Sequence, residues 1–426
     1  MKKLVIAIIA IIILIAFAPK IIGVKVANER AKLFAQLNAA KGISVKNTGY
    51  TASWFGAQSI SEVTFSLAQH DIDDITVIVD EQLSFGPIIV TKDDWFLALG
   101  YSEVKLHSSS ALIDEEVMTF INKSLHLSTR LTFTNDVIAK VKTDEISFED
   151  GNTQFNAAPA IGEFSVKNYK DFIGQLSWGG LVLKNNEGQL TIGQVSADTQ
   201  QSVVSGNYLQ GTAILSGDAN FFVESIEFRD INGNEMFSLQ KLLFASAVSV
   251  HDELLKLELS HRAAEMVALG QTFNKPNVDI ILADLDVNAL QELNNLLANT
   301  PMGSADVSAE FRQQILLLAE KFIEKEPSLN ITDLSVVTDS GKILSELTLT
   351  IDKQLFDNQN LMSVVSALNV DAKGNAPADF FSQFGVTAMI NRFVEQGYLI
   401  KQDNLLSFVA KYSQAQLSLN GKVIQY

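Results

Sequence analysis

From residue 63 onward, apolar and polar residues alternate in many stretches with a period of two, and this pattern constrains the fold more than any other feature. In the stretch 255–260, leucines alternate with Lys256, Glu258 and Ser260. Such alternation is typical of antiparallel strands with one buried and one solvated face. Similar stretches are 63–67, 75–79, 131–133, 137–141, 146–148, 190–192, 221–223, 226–228, 347–351 and 417–419.

Turn-forming residues separate many of these stretches. Each predicted turn combines a glycine with Asn, Asp or Ser, the residues that reverse a chain most readily. The predicted turns lie at 150–152, 186–188, 216–218, 232–234 and 340–342. The sequence therefore predicts a mainly β fold of the α+β class, built from long antiparallel meander sheets.

Apolar stripes with helical spacing interrupt the strands in the second half of the chain. Such stripes indicate helices that pack on a sheet. The first runs from Val287 to Leu297 behind a predicted Asp286 cap, and Pro327 and Gly397 end the other two. The other two stripes span residues 307–322 and 386–393. We therefore expect a few peripheral helices that cover part of the sheet.

The N-terminus carries an apolar run, Leu4–Ala18, between Lys2-Lys3 and Pro19-Lys20. One interpretation is a cleaved signal peptide with a small-x-small site at residues 16–18, although Pro19 directly after it disfavours cleavage. The alternative is an uncleaved transmembrane helix. Fifteen residues at about 1.5 Å each reach roughly 22 Å, and Ile21-Ile22 extend the span if Lys20 snorkels to the interface. We favour the anchor.

Lysines and arginines lie on both sides of this run, so the positive-inside rule alone does not set its orientation. We expect a cytoplasmic N-terminus, with the bulk of the chain in the periplasm. The predicted organisation is a membrane anchor at 1–24, a connecting helix at 25–45, a β-rich module at 46–255 and a β-rich module with covering helices at 256–426.

Composition narrows the classes of partner. The net charge is −17, and such an acidic chain repels phosphate backbones, which excludes nucleic acid as an expected partner. The chain has no cysteine, which removes disulfides, thiolate metal sites and cysteine nucleophiles. A cysteine-free chain suits an oxidising compartment such as the periplasm.

Motifs for catalysis or metal binding are weak. His70 begins a His-Asp-Ile-Asp-Asp stretch, for which a solvated acidic turn is a better interpretation than a cation site. Asp230, Asn232 and Asn234 resemble the start of a calcium loop, but Glu235 stands where the loop needs glycine, so a hairpin turn is preferred. Residues 251–253 (His-Asp-Glu) are neighbours that would point to opposite faces of a strand. We therefore assign no catalytic, cofactor-binding or metal-binding residue.

The apolar residues suggest binding instead. Phenylalanine is abundant, with 26 residues against 7 Tyr and 3 Trp, and it has no polar group to satisfy. If the helices cover only part of the apolar sheet face, the rest forms a groove for an acyl chain or for an apolar segment of a partner. A fully closed core is the alternative.

Several segments resemble the YdgA-like family of bacterial proteins of unknown function. The family tends to have His-Gly-Pro where this chain has Phe85-Gly86-Pro87. The resemblance implies a single-pass inner-membrane protein of a Gram-negative bacterium with its body in the periplasm, and it implies no reaction and no site residue. The segments are 50–55, 85–87, 284–290, 326–331 with 338–341, and 397–399 with 417–422.

We therefore expect a non-enzymatic envelope protein that binds a lipid or acyl chain in a groove of its β-sheet. The alternatives are a tethered scaffold or chaperone-like module that binds proteins and, third, an envelope hydrolase that uses carboxylates. The expected partners are the membrane, through the anchor, an apolar ligand, and a second copy of the chain in a homo-oligomer. No cofactor is expected.

Overall fold

A computed structural model describes residues 2–39, 42–66, 74–92, 94–108, 115–168, 170–208, 212–268, 270–299, 309–357, 360 and 362–424. Within these residues, twenty-five strands form one hydrogen-bonded sheet, and its neighbours pair in antiparallel fashion. Most strands pair with the strand that precedes or follows them in the sequence. The mainly β, antiparallel fold class predicted from the alternation is confirmed.

The first element is a single helix, α1 (Lys2–Ala39). Residues 25–39 of the predicted connecting helix at 25–45 belong to α1, and its division from the anchor stays a prediction. Helix α1 ends at Ala39 and the sheet begins at Ile43. Gly42, with a φ of 79°, turns the chain between the two. The side chains of residues 1–17, most of the predicted anchor, lie outside the described residues. Of the helices in the described part, none is long and apolar enough to cross a membrane.

The first strands pack beside α1. Asn38 exchanges two hydrogen bonds with the backbone of Val45, at 2.6 and 2.8 Å, which ties the end of the helix to the sheet. A short hairpin and helix α2 (Glu115–Ser124) interrupt this group. The sheet strands are β1 (Ile43–Ala52), β2 (Gly56–Phe65), β3 (Ile75–Phe85), β6 (Gly100–Ser108), β7 (Leu125–Leu131) and β8 (Val137–Thr143), and the separate hairpin is β4 (Ile88–Val90) with β5 (Trp95–Leu97).

The next strands form two arms that meet on one long strand, β16 (Ile214–Asp230). The first half of β16 pairs with β15, and its second half pairs with β14. One arm consists of β8, β11, β12 and β15, and the other of β9, β10, β13 and β14. Their bounds are β9 (Ile146–Asp150), β10 (Thr153–Ala157), β11 (Ala160–Lys167), β12 (Asp171–Trp178), β13 (Leu181–Asn185), β14 (Gly188–Ile192) and β15 (Val195–Ser205).

The turn predicted at 216–218 does not exist, because Gly217 lies inside β16 and pairs with Gln201 and Val248. Its φ is 123°, and an added Cβ would lie 2.0 Å from the carbonyl oxygen of Gln200. Glycine is therefore required for close backbone approach rather than for a chain reversal. The strands that follow are β17 (Glu235–His251), β18 (Leu254–Arg262), β19 (Glu265–Ala268) and β20 (Gln271–Asp286).

The helices predicted in the second half are present. Asp286 accepts a hydrogen bond from the backbone N–H of Ala289 at 2.7 Å, which confirms the predicted cap of α3. A short 3-10 helix spans Lys353–Leu355. The remaining bounds are α3 (Val287–Asn299), α4 (Ala309–Glu324), β21 (Ser328–Thr338), β22 (Gly341–Ile351), α5 (Ser363–Ala367), β23 (Leu368–Pro377), α6 (Ala378–Ser382), α7 (Thr387–Glu395), β24 (Ile400–Gln402), β25 (Leu405–Ser413), β26 (Gln416–Leu419) and β27 (Lys422–Val423).

Strands on both sides of the predicted module boundary at 255/256 are hydrogen-bonded to each other. β18 contains that boundary and pairs with β17 on one side and β20 on the other. The division into two modules stays a prediction.

Two buried clusters form where helices α1 and α3 pack on the strands. One joins Val26 of α1 to Ala57, Leu83 and Phe85, and the other joins Val287 of α3 to Ile214 and Leu255. The chain exposes 26122 Å², whereas a compact monomer of 46.6 kDa exposes about 16,000 Å². The sheet shares in this exposure, because large apolar residues of its strands, such as Phe164 and Phe221, remain 42% and 39% exposed.

Candidate functional site

One face of the sheet carries an uninterrupted row of apolar and small residues that crosses fourteen strands within the described residues. Directly opposed residues in antiparallel strands point to the same side, so register alone places this row on one face. The row is Thr129, Ala139, Phe164, Gly174, Thr199, Ala219, Ser246, Leu259, Ile280, Ile331, Leu347, Ala372, Ala410 and Leu419. Its members carry no charge.

A second row runs beside the first on the same face, two residues along each strand and three along β21, where the register shifts. It is likewise apolar apart from one imidazole, that of His261. The row is Leu127, Val141, Gly162, Leu176, Ala197, Phe221, Phe244, His261, Val278 and Leu334. Two adjacent rows form an apolar stripe that runs across the strands.

The opposite face is polar along the same strands. Positions that alternate with the stripe point to the other side of the sheet. They form the row Lys140, Glu163, Gln175, Asp198, Asn220, Ala245, Ser260 and Asp279. Along these rows the sheet is amphipathic, with charged and polar residues on one side and apolar residues on the other.

A cavity of about 410 Å³ lies on the apolar face where β11, β12 and β15–β18 meet. Its walls include Phe164, Phe221 and Phe244, which are 42%, 39% and 38% exposed. The ring centroids of Phe221 and Phe244 lie 6.2 Å apart. The rings of Phe244 and His261 pack edge to face, with their centroids 4.8 Å apart. A volume of this size falls within the range of small-molecule sites.

Small residues give the cavity its depth. The ring of Phe164 lies over its cross-strand partner Gly174, where an added Cβ would come within 2.8 Å of the ring. Phe408 lies over Gly374 in the same way, at 2.6 Å. Aromatic rings that cover cross-strand glycines stabilise a sheet at positions that lack a side chain. Gly174 therefore leaves room for the Phe164 ring at the wall of the cavity.

The polar face has its own cavity, of about 590 Å³, near Asp279. Burial raises the pKa of Asp279, but hydrogen bonds from Asn277, Ser260 and Arg262 outweigh this effect, so the pKa lies below its usual value. The Ser260 hydroxyl donates at 2.6 Å and the Asn277 amide at 2.9 Å. Since these donors already satisfy the carboxylate, the network stabilises the pairing of β18 with β20.

The weak motifs of the sequence do not form a site. Residues 70–73 lie outside the described residues. Asp230 accepts backbone hydrogen bonds from Asn232 and Asn234 at 2.9 and 2.8 Å, which confirms the predicted hairpin turn. His251 and Asp252 lie 3.2 Å apart and are almost fully exposed. The prediction that residues 251–253 point to opposite faces of a strand was wrong, because Asp252 and Glu253 have positive φ and form the turn between β17 and β18. Over the described ranges, no three His, Asp or Glu side chains could hold a metal ion.

Sequence reasoning missed the strands that carry much of the cavity, β11, β12 and β15. Glycine, alanine and threonine occupy many of their apolar-face positions, so the alternation between large apolar and polar residues is weak there. The available signal was the spacing Phe172-x-Gly174-x-Leu176, which keeps a period of two once glycine is counted as apolar.

Comparison with known proteins identifies a family but no function. The family model described as "Bacterial protein of unknown function (DUF945)" matches residues 1–426. No curated protein and no solved structure matches the chain.

Proposed function

The chain belongs to the DUF945 family of bacterial proteins of unknown function, and from this premise we propose that it is a non-enzymatic envelope protein that binds a lipid acyl chain along the apolar face of its sheet. The uncovered apolar stripe carries this proposal. Phe164, Phe221 and Phe244 remain more than a third exposed around the cavity. Covering such rings with hydrocarbon is favourable, at about 25 cal/mol per Å².

The shape of the stripe favours a chain-like ligand. It is about two residues wide and continues from strand to strand, across a spacing of about 4.8 Å per strand. A flexible alkyl chain can follow such a stripe, whereas a rigid ring system occupies only the cavity. The stripe offers few hydrogen-bonding groups, so it selects for hydrocarbon and not for a headgroup.

We further propose that an N-terminal transmembrane helix holds the chain at the bacterial inner membrane, with its body in the periplasm. The apolar run 4–18, flanked by lysines, supports this part of the proposal, as does the absence of cysteine. Placement within a narrower YdgA-like group rests on the sequence segments alone. Self-association remains part of the proposal, since a second copy could cover the stripe.

Native mass spectrometry of the full chain, released from detergent micelles and followed by lipid extraction, tests the ligand. We expect stoichiometric retention of a species with at least one long acyl chain. A chain that is free of lipid and is crosslinked in cells to other envelope proteins through the stripe would instead support a scaffold role.

A further inference from the structure

The β4–β5 hairpin exposes four large apolar side chains on its outer side. Ile88 opposes Leu97 and Val90 opposes Trp95, so all four lie on one face. Their exposed fractions are 48%, 60%, 75% and 65% in that order. The inner face is different, since Ile89 is only 2% exposed. A two-stranded hairpin with apolar residues on both faces requires something to cover the outer one.

The turn between β1 and β2 adds two exposed aromatic residues at the same end of the sheet. Trp54 and Phe55 are 40% and 64% exposed. The backbone N–H of Phe85, the last residue of β3, donates to the carbonyl of Phe55 at 2.8 Å. The hairpin leaves the sheet directly after Phe85. We call Trp54, Phe55, Ile88, Val90, Trp95 and Leu97 the interface patch.

Helix α1 fixes where this patch lies relative to the apolar run. The Lys20 ammonium lies 5.2 Å from the ring centroid of Trp54, and a Cβ on Gly23 would be 2.6 Å from the Phe85 ring. Lys20 is two residues beyond Ala18, the end of the apolar run, which is about 3 Å along a helix axis. The interface patch therefore lies at the level where the apolar run ends.

We propose that the interface patch is a membrane-contact surface that rests in the headgroup region of a lipid bilayer beside α1. Trp is enriched at membrane–water interfaces because its ring is apolar while its N–H needs a polar partner. Two of the three tryptophans of the chain belong to the patch. Lys20 supplies the cation that commonly accompanies such a belt. This inference rests on the membrane-anchor part of the proposed function.

The contact has a structural consequence for the sheet. A helix alone leaves the body free to swing about its attachment, whereas a helix together with an embedded hairpin fixes its tilt. The β4–β5 hairpin and the β1–β2 turn then hold the first strands of the sheet against the bilayer surface.

Fluorescence quenching in vesicles tests the proposal on the full chain. Three single-tryptophan chains would be compared, each with the other tryptophans changed to Phe: one retains Trp54, one retains Trp95, and the control carries Ile231→Trp. Ile231 is 70% exposed in the turn after β16, whereas α1 packs on β1, β2, β3 and β6. The vesicles are phosphatidylcholine containing a lipid with a nitroxide on its headgroup.

We expect Trp54 and Trp95 to lose about half of their emission and the control at position 231 to lose little, since only headgroup-level rings approach the nitroxide. A chain that floats with the vesicles but shows equal quenching at all three positions overturns the proposal and leaves the patch to a protein partner. A chain that does not float overturns the anchor and this inference together, while acyl-chain binding by the stripe remains separately measurable.

A double substitution then tests the hairpin itself. Val90→Ser with Leu97→Ser should abolish most of the quenching of Trp54 while the chain still floats with the vesicles. Met236→Ser, at another exposed position in β17, should leave it unchanged. Unaltered quenching of Trp54 in the hairpin variant would refute a role for the hairpin in membrane contact.

Discussion

Placing a charge on the apolar stripe should weaken binding of a fatty acid to the full chain. Phe221→Asp changes a ring that is 39% exposed in the cavity wall and that neighbours Phe244 at 6.2 Å. A phenyl ring covers about three methylene groups of an extended chain, and each contributes about 0.8 kcal/mol when buried. Their loss amounts to about 2.4 kcal/mol, or about a fiftyfold rise in Kd.

The matched control is Phe148→Asp. Phe148 is 47% exposed, lies in β9 of the other arm, and stacks on Phe155 at 5.1 Å. The assay is displacement of a fluorescent fatty acid from each purified chain, with circular dichroism to confirm an intact sheet. We expect the control to bind within about twofold of the unmodified chain. Equal affinity of all three chains, or an equal loss in both variants, would refute binding at the stripe.

Three further predictions concern stability, each measured by chemical denaturation. Arg30→Met should destabilise the chain by about 3 kcal/mol, because it leaves the largely buried Glu81 carboxylate, which lies 2.8 Å from the Arg30 Nε, without its partner. The control is Lys32→Met at an exposed position, and a similar loss of stability in both variants would count against this ion pair. Asp286→Ala should cost about 1 kcal/mol through loss of the α3 cap, and a cost near zero would contradict that role. The pKa of Asp279 is lower in the folded chain than its unfolded value of 3.8, so the stability that its carboxylate contributes is complete above pH 3.8 and is lost as the pH falls through the folded pKa. The difference in unfolding free energy between the unmodified chain and Asp279→Asn should therefore shrink below about pH 4. A difference that stays constant with pH would refute a stabilising role for the ionised carboxylate.

The sequence predicted the mainly β class of the fold better than it predicted the positions of the individual strands. Strong alternation located strands such as β18, and helical spacing with the Asp286 cap located α3. The alternation fails where the apolar face uses small residues, as at Gly174 and Ala219, because such residues give no hydrophobic contrast with their neighbours. At Gly217 the sequence predicted a turn where the structure has a strand, because a glycine that permits close packing within a strand cannot be told by sequence from one that reverses the chain.

For the candidate site, the sequence predicted an apolar sheet face but not the part of that face that stays uncovered. Apolar residues on alternating positions indicate an apolar face, but whether the face is covered depends on where helices dock, which is a tertiary property. Here the buried clusters gather under α1 and α3, at Phe85 and Leu255, and leave the rings around the cavity open. Nothing local to the sequence around Phe221 distinguishes an open ring from a closed one.

The distribution of buried residues also explains how an open sheet can remain folded. Most strands of the sheet form backbone hydrogen bonds with neighbours on both sides, while strands such as β1, β9 and β27 pair on one side, so the ladder itself needs no second layer to pair most of its polar groups. The two buried clusters then stabilise the strands that they contact, near Val26 and near Val287. The strands between them bury little apolar surface, and they gain most when hydrocarbon covers the stripe. If the proposed acyl chain binds there, we expect it to stabilise the part of the sheet that lacks a core of its own, and folding of the arm formed by β11, β12 and β15 would then be coupled to occupancy of the stripe.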